Sequence, residues 1–128
     1  MRYMLLVYTD EMLRGRNSRD EWAELVAGHA SVKAEMKQKG ALITSGALKP
    51  TTSATSVRMC DGEVVIFDGP FAETKEQLAG FYVLDCENLD VALEWARKFV
   101  AACSHRGDAC FEIRPLEDYS YLDVPLTE

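Results

Sequence analysis

Residues 68–76 read DGPFAETKE, and this stretch constrains the fold and the site more than any other part of the chain. Glycine beside proline, at positions 69 and 70, predicts a tight turn, because glycine reaches backbone angles closed to other residues and proline fixes its own. An acid precedes the turn, and an acid, a hydroxyl, a base and a second acid follow it. A turn needs only polar neighbours, so this ordered charge series also indicates a candidate site.

Strands are predicted on both sides of the turn. Upstream, segments 55–60 and 63–67 flank Asp61-Gly62, a dipeptide typical of two-residue β-hairpin turns. Downstream, residues 80–84 are apolar and aromatic, which is typical of a buried strand. The same reasoning predicts strands at 2–8, 41–48 and 110–114, the last of them ended by Pro115.

Two helices are predicted between these strands. Ser18 and Glu21 form a capping-box pattern, and Gly40 ends the helix that follows. Its apolar residues recur at three- and four-residue steps: Trp22, Leu25, Val26, Val32 and Met36. The second helix begins at Asn88 and stops at Gly107. Its expected buried stripe is Leu89, Ala92, Leu93, Ala96, Phe99, Val100 and Cys103.

The order of these elements predicts the fold class. Without the hairpin it is βαββαβ, the order of ferredoxin-like α+β folds, in which two helices pack on one face of an antiparallel sheet. No repeat or linker divides the chain, so residues 1–128 are expected to form one domain, with 117–128 as an extended C-terminal arm.

The second face of the sheet is also expected to be covered. Segments 4–7 and 81–84 are apolar on both alternating sides, whereas a strand with one wet face alternates apolar with polar residues. Two helices cover only one face, which favours a homodimer that buries the other. The alternative is that the long loops and the C-terminal arm cover it within one chain.

Composition limits the partners. The chain has 128 residues and a net charge of -7, which disfavours nucleic acid and anionic membranes as partners. No apolar run has the length of a membrane span, and the short run 4–8 followed by acids is not a signal peptide. These features predict a cytoplasmic protein that binds neither nucleic acid nor membrane.

Cysteine spacing predicts no metal site. The four cysteines lack a C-x-x-C pattern and read as small buried hydrophobes of a reducing compartment. Cys103 and His105 could supply two metal ligands, but common zinc sites need more ligands at better spacing. No glycine-rich phosphate loop is present either, so no cofactor is expected.

The stretch DGPFAETKE resembles the signature of the DGPFAETKE branch of the YciI-like family. The opening strand, the helix that carries His29 and the closing segment Glu-Ile-Arg-Pro at 112–115 extend this resemblance over nearly the whole chain. The resemblance implies a dimeric α/β barrel. It also implies a site in which a helix histidine pairs with an acid near a strand end, here His29 and Asp68.

The residues themselves leave alternatives for this pair. His29 shares the apolar stripe of its helix, so it could be a structural histidine bonded to a backbone carbonyl. Asp68 could simply make the turn, since aspartate bonds backbone N–H groups two residues on. As a catalytic pair, Asp68 would orient the imidazole and His29 would act as general base. No nucleophile-elbow motif is present, which favours proton transfer or water activation.

Lys75 and Thr74 are the predicted anchor for an anionic substrate group, since they offer a compact charge and a hydroxyl donor. The alternative is a solvated loop whose charges neutralise one another. Gly69 and Tyr82 complete the predicted substrate-binding set, although strand aromatics such as Tyr82 commonly lie in the core. Arg114 could be a further site residue or a charge on an edge strand, and the edge strand is favoured.

These observations favour a small enzyme that performs His-Asp acid/base chemistry on a small anionic organic molecule, of isomerase, lyase or dehalogenase type. The alternative is a non-catalytic ligand-binding or regulatory module, which the resemblance links to sigma-factor regulation. A third reading is a dimeric scaffold with a vestigial site. Residues 102–107 and 119–128 depart from the family pattern, so features of the pocket mouth are not carried over from it.

Overall fold

The protein is described by a computed structural model that covers residues 1–103 and 109–122. The strands are β1 (Arg2–Thr9), β2 (Leu42–Ala47), β3 (Thr55–Cys60), β4 (Glu63–Asp68), β5 (Gln77–Asp85) and β6 (Ala109–Pro115). The α-helices are α1 (Glu11–Arg14), α2 (Arg19–Gln38) and α3 (Leu89–Cys103). The predicted order of strands and long helices is confirmed. The short helix α1 was not expected, because its region reads as a polar loop.

The sheet topology confirms the α+β fold class and is consistent with a ferredoxin-like arrangement. Four strands pair antiparallel in the order β2-β5-β1-β6, while β3 and β4 form a separate two-stranded ribbon. The ribbon turns at Asp61 (φ 49°) and Gly62 (φ 80°). Two successive positive φ angles are what a tight hairpin turn requires, which confirms the prediction from that dipeptide.

The core lies between the sheet and the two long helices. Alternate residues of β1 face it, and Leu5 of β1 stands opposite Tyr82 of β5 in the strand register. The largest fully buried side chains are Leu5, Met36, Leu84 and Phe99. Burying a side chain of this size contributes about 1.5–3 kcal/mol, so this cluster fixes how α2 and α3 sit on the sheet.

Helix α2 begins at the predicted capping box. The Ser18 hydroxyl accepts a hydrogen bond from the Glu21 N–H, and the Glu21 carboxylate accepts one from the Ser18 N–H. Its C-terminal half buries Val32 and Met36 as expected. Val26, in contrast, is 60% exposed, so its assignment to a buried stripe was wrong. The N-terminal half of α2, which carries Val26, faces a cavity instead of the core.

Helix α3 is capped by Asn88, whose Oδ1 accepts a hydrogen bond from the Val91 N–H. Its buried residues are Ala92, Trp95, Ala96, Phe99 and Cys103. The stripe is therefore rotated relative to the prediction, because Leu89, Leu93 and Val100 are exposed. Gly107, the expected stop, lies outside the described residues.

Apolar side chains remain exposed on one face of the β3–β4 ribbon, where the strand register sets Val57 opposite Ile66 and Met59 opposite Val64. Each of these four side chains is more than 60% exposed. On the sheet face turned away from the helices, Met4, Leu6 and Phe81 are half-buried. On these two surfaces, apolar side chains stay accessible to solvent and are not covered by other described residues of the chain.

The C-terminal arm is described only in part. Residues 117–122 are exposed and include a 3-10 turn at Ser120–Leu122, while 123–128 lie outside the described residues. Within the described residues, no helix combines the length and apolar character needed to cross a membrane.

Candidate functional site

A cavity of about 620 Å³ opens beside the N-terminal half of α2. Its walls come from the end of β1, from α1, α2 and the end of β2, and from strand β5. Trp22, Leu25 and Val26 give α2 an apolar wall, while His29 and Arg14 add ionisable groups. This size and this mixture of walls are typical of a site for a small organic molecule. The exposed apolar residues of α2 therefore have a role in lining the cavity.

His29 is held at the wall of this cavity by Tyr82. Nδ1 of His29 lies 2.6 Å from the Tyr82 hydroxyl oxygen, a short hydrogen bond between a helix and the central strand β5. The two rings are nearly parallel, with an interplanar angle of 9°. On the core side, the imidazole packs near the rings of Phe99 and Phe111, with centroid distances of 5.8 Å and 6.1 Å.

Burial and charge set the protonation of this pair. Burial lowers the pKa of His29 below its usual value, and the positive charge of Arg14 lowers it further. Burial raises the pKa of Tyr82 to about 12. At neutral pH the imidazole is therefore uncharged and the phenol keeps its proton. A hydroxyl both donates and accepts, so the pair accommodates either neutral tautomer of the ring.

Arg14 is a cavity residue that the sequence analysis missed. It ends the one-turn helix α1, is only 6% exposed, and lines the same cavity as His29. Asp10 caps this helix, because its carboxylate accepts hydrogen bonds from the N–H groups of Met12 and Leu13. That capping residue was the available signal, but four helical residues are too few to show a periodic pattern.

The signature loop (residues 68–76) lies apart from this cavity. Asp68 ends β4 and is exposed, and Gly69 follows with φ 103°, a conformation that favours glycine. Gly69 is fixed by two bonds: its N–H donates to Ala54 O, and its carbonyl accepts from the Ser56 hydroxyl. The turn predicted from the glycine-proline pair thus anchors the loop on β3.

The signature loop lines a second cavity of about 500 Å³. Asp68, Gly69 and Thr74 contribute to its wall together with Thr51 and Gln77. The Thr74 hydroxyl donates to Glu76 O at 2.5 Å, and the Gln77 side-chain amide donates to Thr74 O at 2.6 Å. These short-range bonds fold the loop back on itself.

The predicted site residues therefore divide into two groups. His29 and Tyr82 meet at the larger cavity, whereas Asp68, Gly69 and Thr74 lie at the smaller one. Lys75 is exposed on the signature loop. Among the described residues, the His29 ring is hydrogen-bonded to Tyr82, and its pairing with Asp68 stays a prediction.

Glu11 lies between the two cavities. Its carboxylate oxygens accept hydrogen bonds from Thr51, one from the N–H at 2.8 Å and one from the hydroxyl at 2.7 Å. Its own N–H donates to Oε1 of Gln77 at 2.9 Å. Glu11 lines the larger cavity, while Thr51 and Gln77 line the smaller one. Sequence patterns gave no indication of this connection.

The described residues contain no group of three or more His, Cys, Asp or Glu side chains placed to hold a metal ion. Cys103 is buried, and burial raises the pKa of its thiol to about 11, so it stays protonated. His105, its considered partner as a metal ligand, lies outside the described residues.

The fold and the cavity define a small α+β protein that places a neutral histidine and a buried arginine at one pocket. The YCII-related domain matches residues 1–120. The chain is also 39% identical over 125 residues to an uncharacterized protein of Rhizobium meliloti (strain 1021), covering 98% of this chain and 99% of that protein. The chain therefore belongs to the YCII-related domain family.

Proposed function

We propose that this protein is a small cytoplasmic enzyme of the DGPFAETKE branch, which binds a small anionic organic molecule in the larger cavity and moves a proton with His29. The observation that carries this proposal is the 2.6 Å bond between His29 and Tyr82 beside the cavity that Arg14 also lines. The chemistry is proton transfer next to a carbonyl or carboxylate, of isomerase, lyase or dehalogenase type.

Each group has a distinct part in this reaction. The neutral imidazole of His29 takes or gives the proton, because a ring with a lowered pKa keeps a lone pair at neutral pH. Tyr82 holds the ring and exchanges roles as donor and acceptor when the ring changes tautomer. Arg14 attracts the anionic group, and an arginine fork matches the geometry of a carboxylate.

The ligand is proposed to carry an apolar body beside its anionic group. Trp22, Leu25 and Val26 line the cavity on α2, and they would contact that body while the anionic group meets Arg14. Binding of an anion next to Arg14 would offset the positive charge that lowers the pKa of His29. Ligand binding would thus prepare the ring to accept a proton.

Asp68 and Lys75 keep the roles proposed from the family resemblance, as the orienting acid and the substrate anchor. Both belong to the exposed signature loop. Replacing Asp68 with Asn tests the first role, because loss of a nearby carboxylate would lower the pKa of His29. An NMR titration of the ring that is identical in wild type and Asp68→Asn removes Asp68 as its partner.

A screen of small carboxylates by thermal shift tests the proposal itself. We expect benzoate-like acids to raise the melting temperature of wild type, and we expect Arg14→Met to abolish that rise. Lys75→Met is the matched control and shows whether the cation of the signature loop also contributes to binding. His29→Ala should keep affinity and lose turnover on any acid that is converted. Failure of every carboxylate to bind wild type would end the proposal.

The second candidate function is a non-catalytic ligand-binding or regulatory module linked to sigma-factor regulation. It is favoured by the largely apolar α2 wall of the cavity, which suits retention of a ligand as well as conversion. Conversion of no bound acid by wild type, with affinity unchanged in His29→Ala, would favour this function over the enzyme.

A homodimer, in which two sheets form an α/β barrel, is proposed as the assembly. Its support is the apolar area left open on the β3–β4 ribbon and on the sheet face turned away from the helices. Isolated two-stranded ribbons have little stability of their own, so a partner surface for the ribbon is expected on physical grounds.

A further inference from the structure

Helix α1 cannot hold its own position. It has four residues, Glu11–Arg14. A helix of one turn is unstable alone, because the entropy lost in ordering the first turn exceeds the stabilisation from its few hydrogen bonds. Its position must therefore be set by bonds to its neighbours. Arg14 at its end is a buried cation of the larger cavity, so the position of α1 contributes to where that cation stands.

Glu11 supplies three of those bonds among the described residues. Its carboxylate accepts both the N–H and the hydroxyl of Thr51, at 2.8 Å and 2.7 Å. Hydrogen bonds to an ionised carboxylate are roughly twice as strong as neutral ones, so this pair is a firm attachment. Glu11 thereby ties the first residue of α1 to the 3-10 turn Thr51–Ser53.

Gln77 extends the attachment to the signature loop. Its Oε1 accepts the N–H of Glu11 at 2.9 Å, and its Nε2 donates to the carbonyl of Thr74 at 2.6 Å. The side-chain amide of Gln77 thus joins α1 to the loop, with its oxygen bonded to α1 and its nitrogen bonded to the loop. The path from the loop to the buried cation runs through Thr74, Gln77, Glu11 and then one helical turn to Arg14.

We propose that Glu11 is a positioning residue that, with Thr51 and Gln77, couples the signature loop to Arg14 and so sets where the anion-binding guanidinium stands. This inference rests on the proposed function of the larger cavity. This role of the signature loop does not depend on contact between the loop and the His29 ring.

The pKa of the His29 ring reports the position of Arg14, because the positive charge of Arg14 disfavours the protonated form of the ring. In the part of the chain that the structure describes, the ionisable groups that line this cavity or act on its histidine and tyrosine are Glu11 and Arg14 of α1, Lys33 of α2, Lys49 after β2, Tyr82 of β5 and Cys103 of α3. Of these, Arg14 is the charged group that lowers the pKa of the ring.

The test is an NMR pH titration of the His29 ring in the full chain, comparing wild type with Thr51→Val and Glu11→Gln. Thr51→Val alters no charge and removes one of the two bonds to Glu11. We expect it to raise the pKa of His29 by roughly 0.2 to 0.7 pH units as Arg14 moves away, a size typical of a partly screened charge. Thr52→Val, the same change at the exposed neighbouring threonine, should leave the titration unchanged.

In Glu11→Gln, the sign of the change in the His29 pKa distinguishes movement of Arg14 from simple loss of the Glu11 charge. Loss of a negative charge alone would lower the pKa of His29, whereas release of Arg14 raises it. A raised pKa in both Glu11→Gln and Thr51→Val supports the inference. An unchanged or lowered pKa in both overturns it, and so does a Thr52→Val shift equal to that of Thr51→Val.

Measuring the affinity for benzoate, used as a probe, distinguishes failure of this inference from failure of the proposed function. We expect Thr51→Val to weaken benzoate binding roughly threefold, which is a modest loss of one well-placed contact. If benzoate and other carboxylates do not bind wild type, the proposed function fails. The ring titrations still decide whether Glu11 positions Arg14, because they need no ligand.

Discussion

Gly28 of α2 packs directly on the carbonyl group of Ala102 of α3. A Cβ atom at position 28 would stand 2.6 Å from the Ala102 oxygen, a distance that real Cβ contacts essentially never show. The next residue along α2 is His29, whose ring approaches Phe99 one turn earlier on α3. The close approach of the two helices at Gly28 therefore sets the depth at which the imidazole enters the cavity.

Replacing Gly28 with Ala should destabilise the protein. The added methyl group meets backbone atoms that cannot move aside, and overpacking of this kind costs about 1–3 kcal/mol. Urea unfolding followed by circular dichroism gives the free energy of unfolding. Ser31→Ala, at an exposed position on the same helix, should leave that free energy within about 0.5 kcal/mol of wild type. Equal stability of Gly28→Ala and wild type would show that the helices do not pack as closely as described.

The lowered pKa of His29 predicts a loss of stability in mild acid. In the unfolded chain the ring titrates near pH ~6.5, whereas in the folded chain it titrates lower. Below about pH 6.5 the unfolded chain therefore binds more protons than the folded one. The stability contribution of His29 is fully present above that pH and is lost as the pH falls towards the folded pKa. Free energies of unfolding at about pH 7.5 and about pH 5.5 measure it.

His29→Phe should lose less stability than wild type between those two pH values, because it carries no ring that titrates. The carboxyl groups of Glu35 and Asp118 have lowered pKa values, through hydrogen bonds to Lys98 and to the Ser120 N–H respectively, and titrate at lower pH. A His29→Phe profile that matches wild type would contradict the assignment.

Tyr82→Phe should change the tautomer of His29. Among the described residues, the Tyr82 hydroxyl has His29 Nδ1 as its hydrogen-bond partner, and the phenol keeps its proton because its pKa is raised to about 12. We expect the hydroxyl to donate to Nδ1 in the ligand-free protein, so that the neutral ring carries its proton on Nε2. Action as a base at Nε2 then requires the shift to the Nδ1–H tautomer, in which the hydroxyl accepts. Ring ¹⁵N shifts measure the tautomer, and Tyr82→Phe should lose the preference together with about 0.5–1.5 kcal/mol of stability.

The matched control for Tyr82→Phe is Tyr121→Phe, the same change at an exposed tyrosine. It should leave both the tautomer and the stability unchanged. Nδ1–H as the dominant form in wild type would contradict the proposed direction of the hydrogen bond. It would also favour a ring that presents a free Nε2 to the ligand.

Local patterns were enough to predict the six strands and the two long helices, but not the short helix α1 or the rotation of each long helix. The capping box at Ser18 and the turn at Asp61-Gly62 depend on neighbouring residues, and both are confirmed. The stripe of α3 was right at Ala92, Ala96, Phe99 and Cys103. It was wrong at its edges, with Trp95 buried and Val100 exposed, because helix rotation is set by the surface on which the helix packs. That surface is not visible in a local pattern.

The candidate site could be predicted only in part for the same reason. His29 and Tyr82 were both named from the sequence, but their bond joins residues 53 positions apart, a contact that no local spacing encodes. Arg14 was missed because its helix has a single turn. The role of Glu11 depends on a network of three segments, and each of them looks like an ordinary loop in the sequence.

The exposed apolar face of the β3–β4 ribbon predicts that a single charge will disrupt self-association. Ile66 is 69% exposed beside Val57 and Val64, so Ile66→Lys would place a charge in the proposed dimer contact. We expect wild type to sediment as a dimer and Ile66→Lys as a monomer at the same concentration. Val65→Lys, the matched change on the opposite face of the same strand, should remain dimeric because its side chain points away from that contact. A monomeric wild type, or equal dissociation of both variants, would exclude this face as the interface between copies.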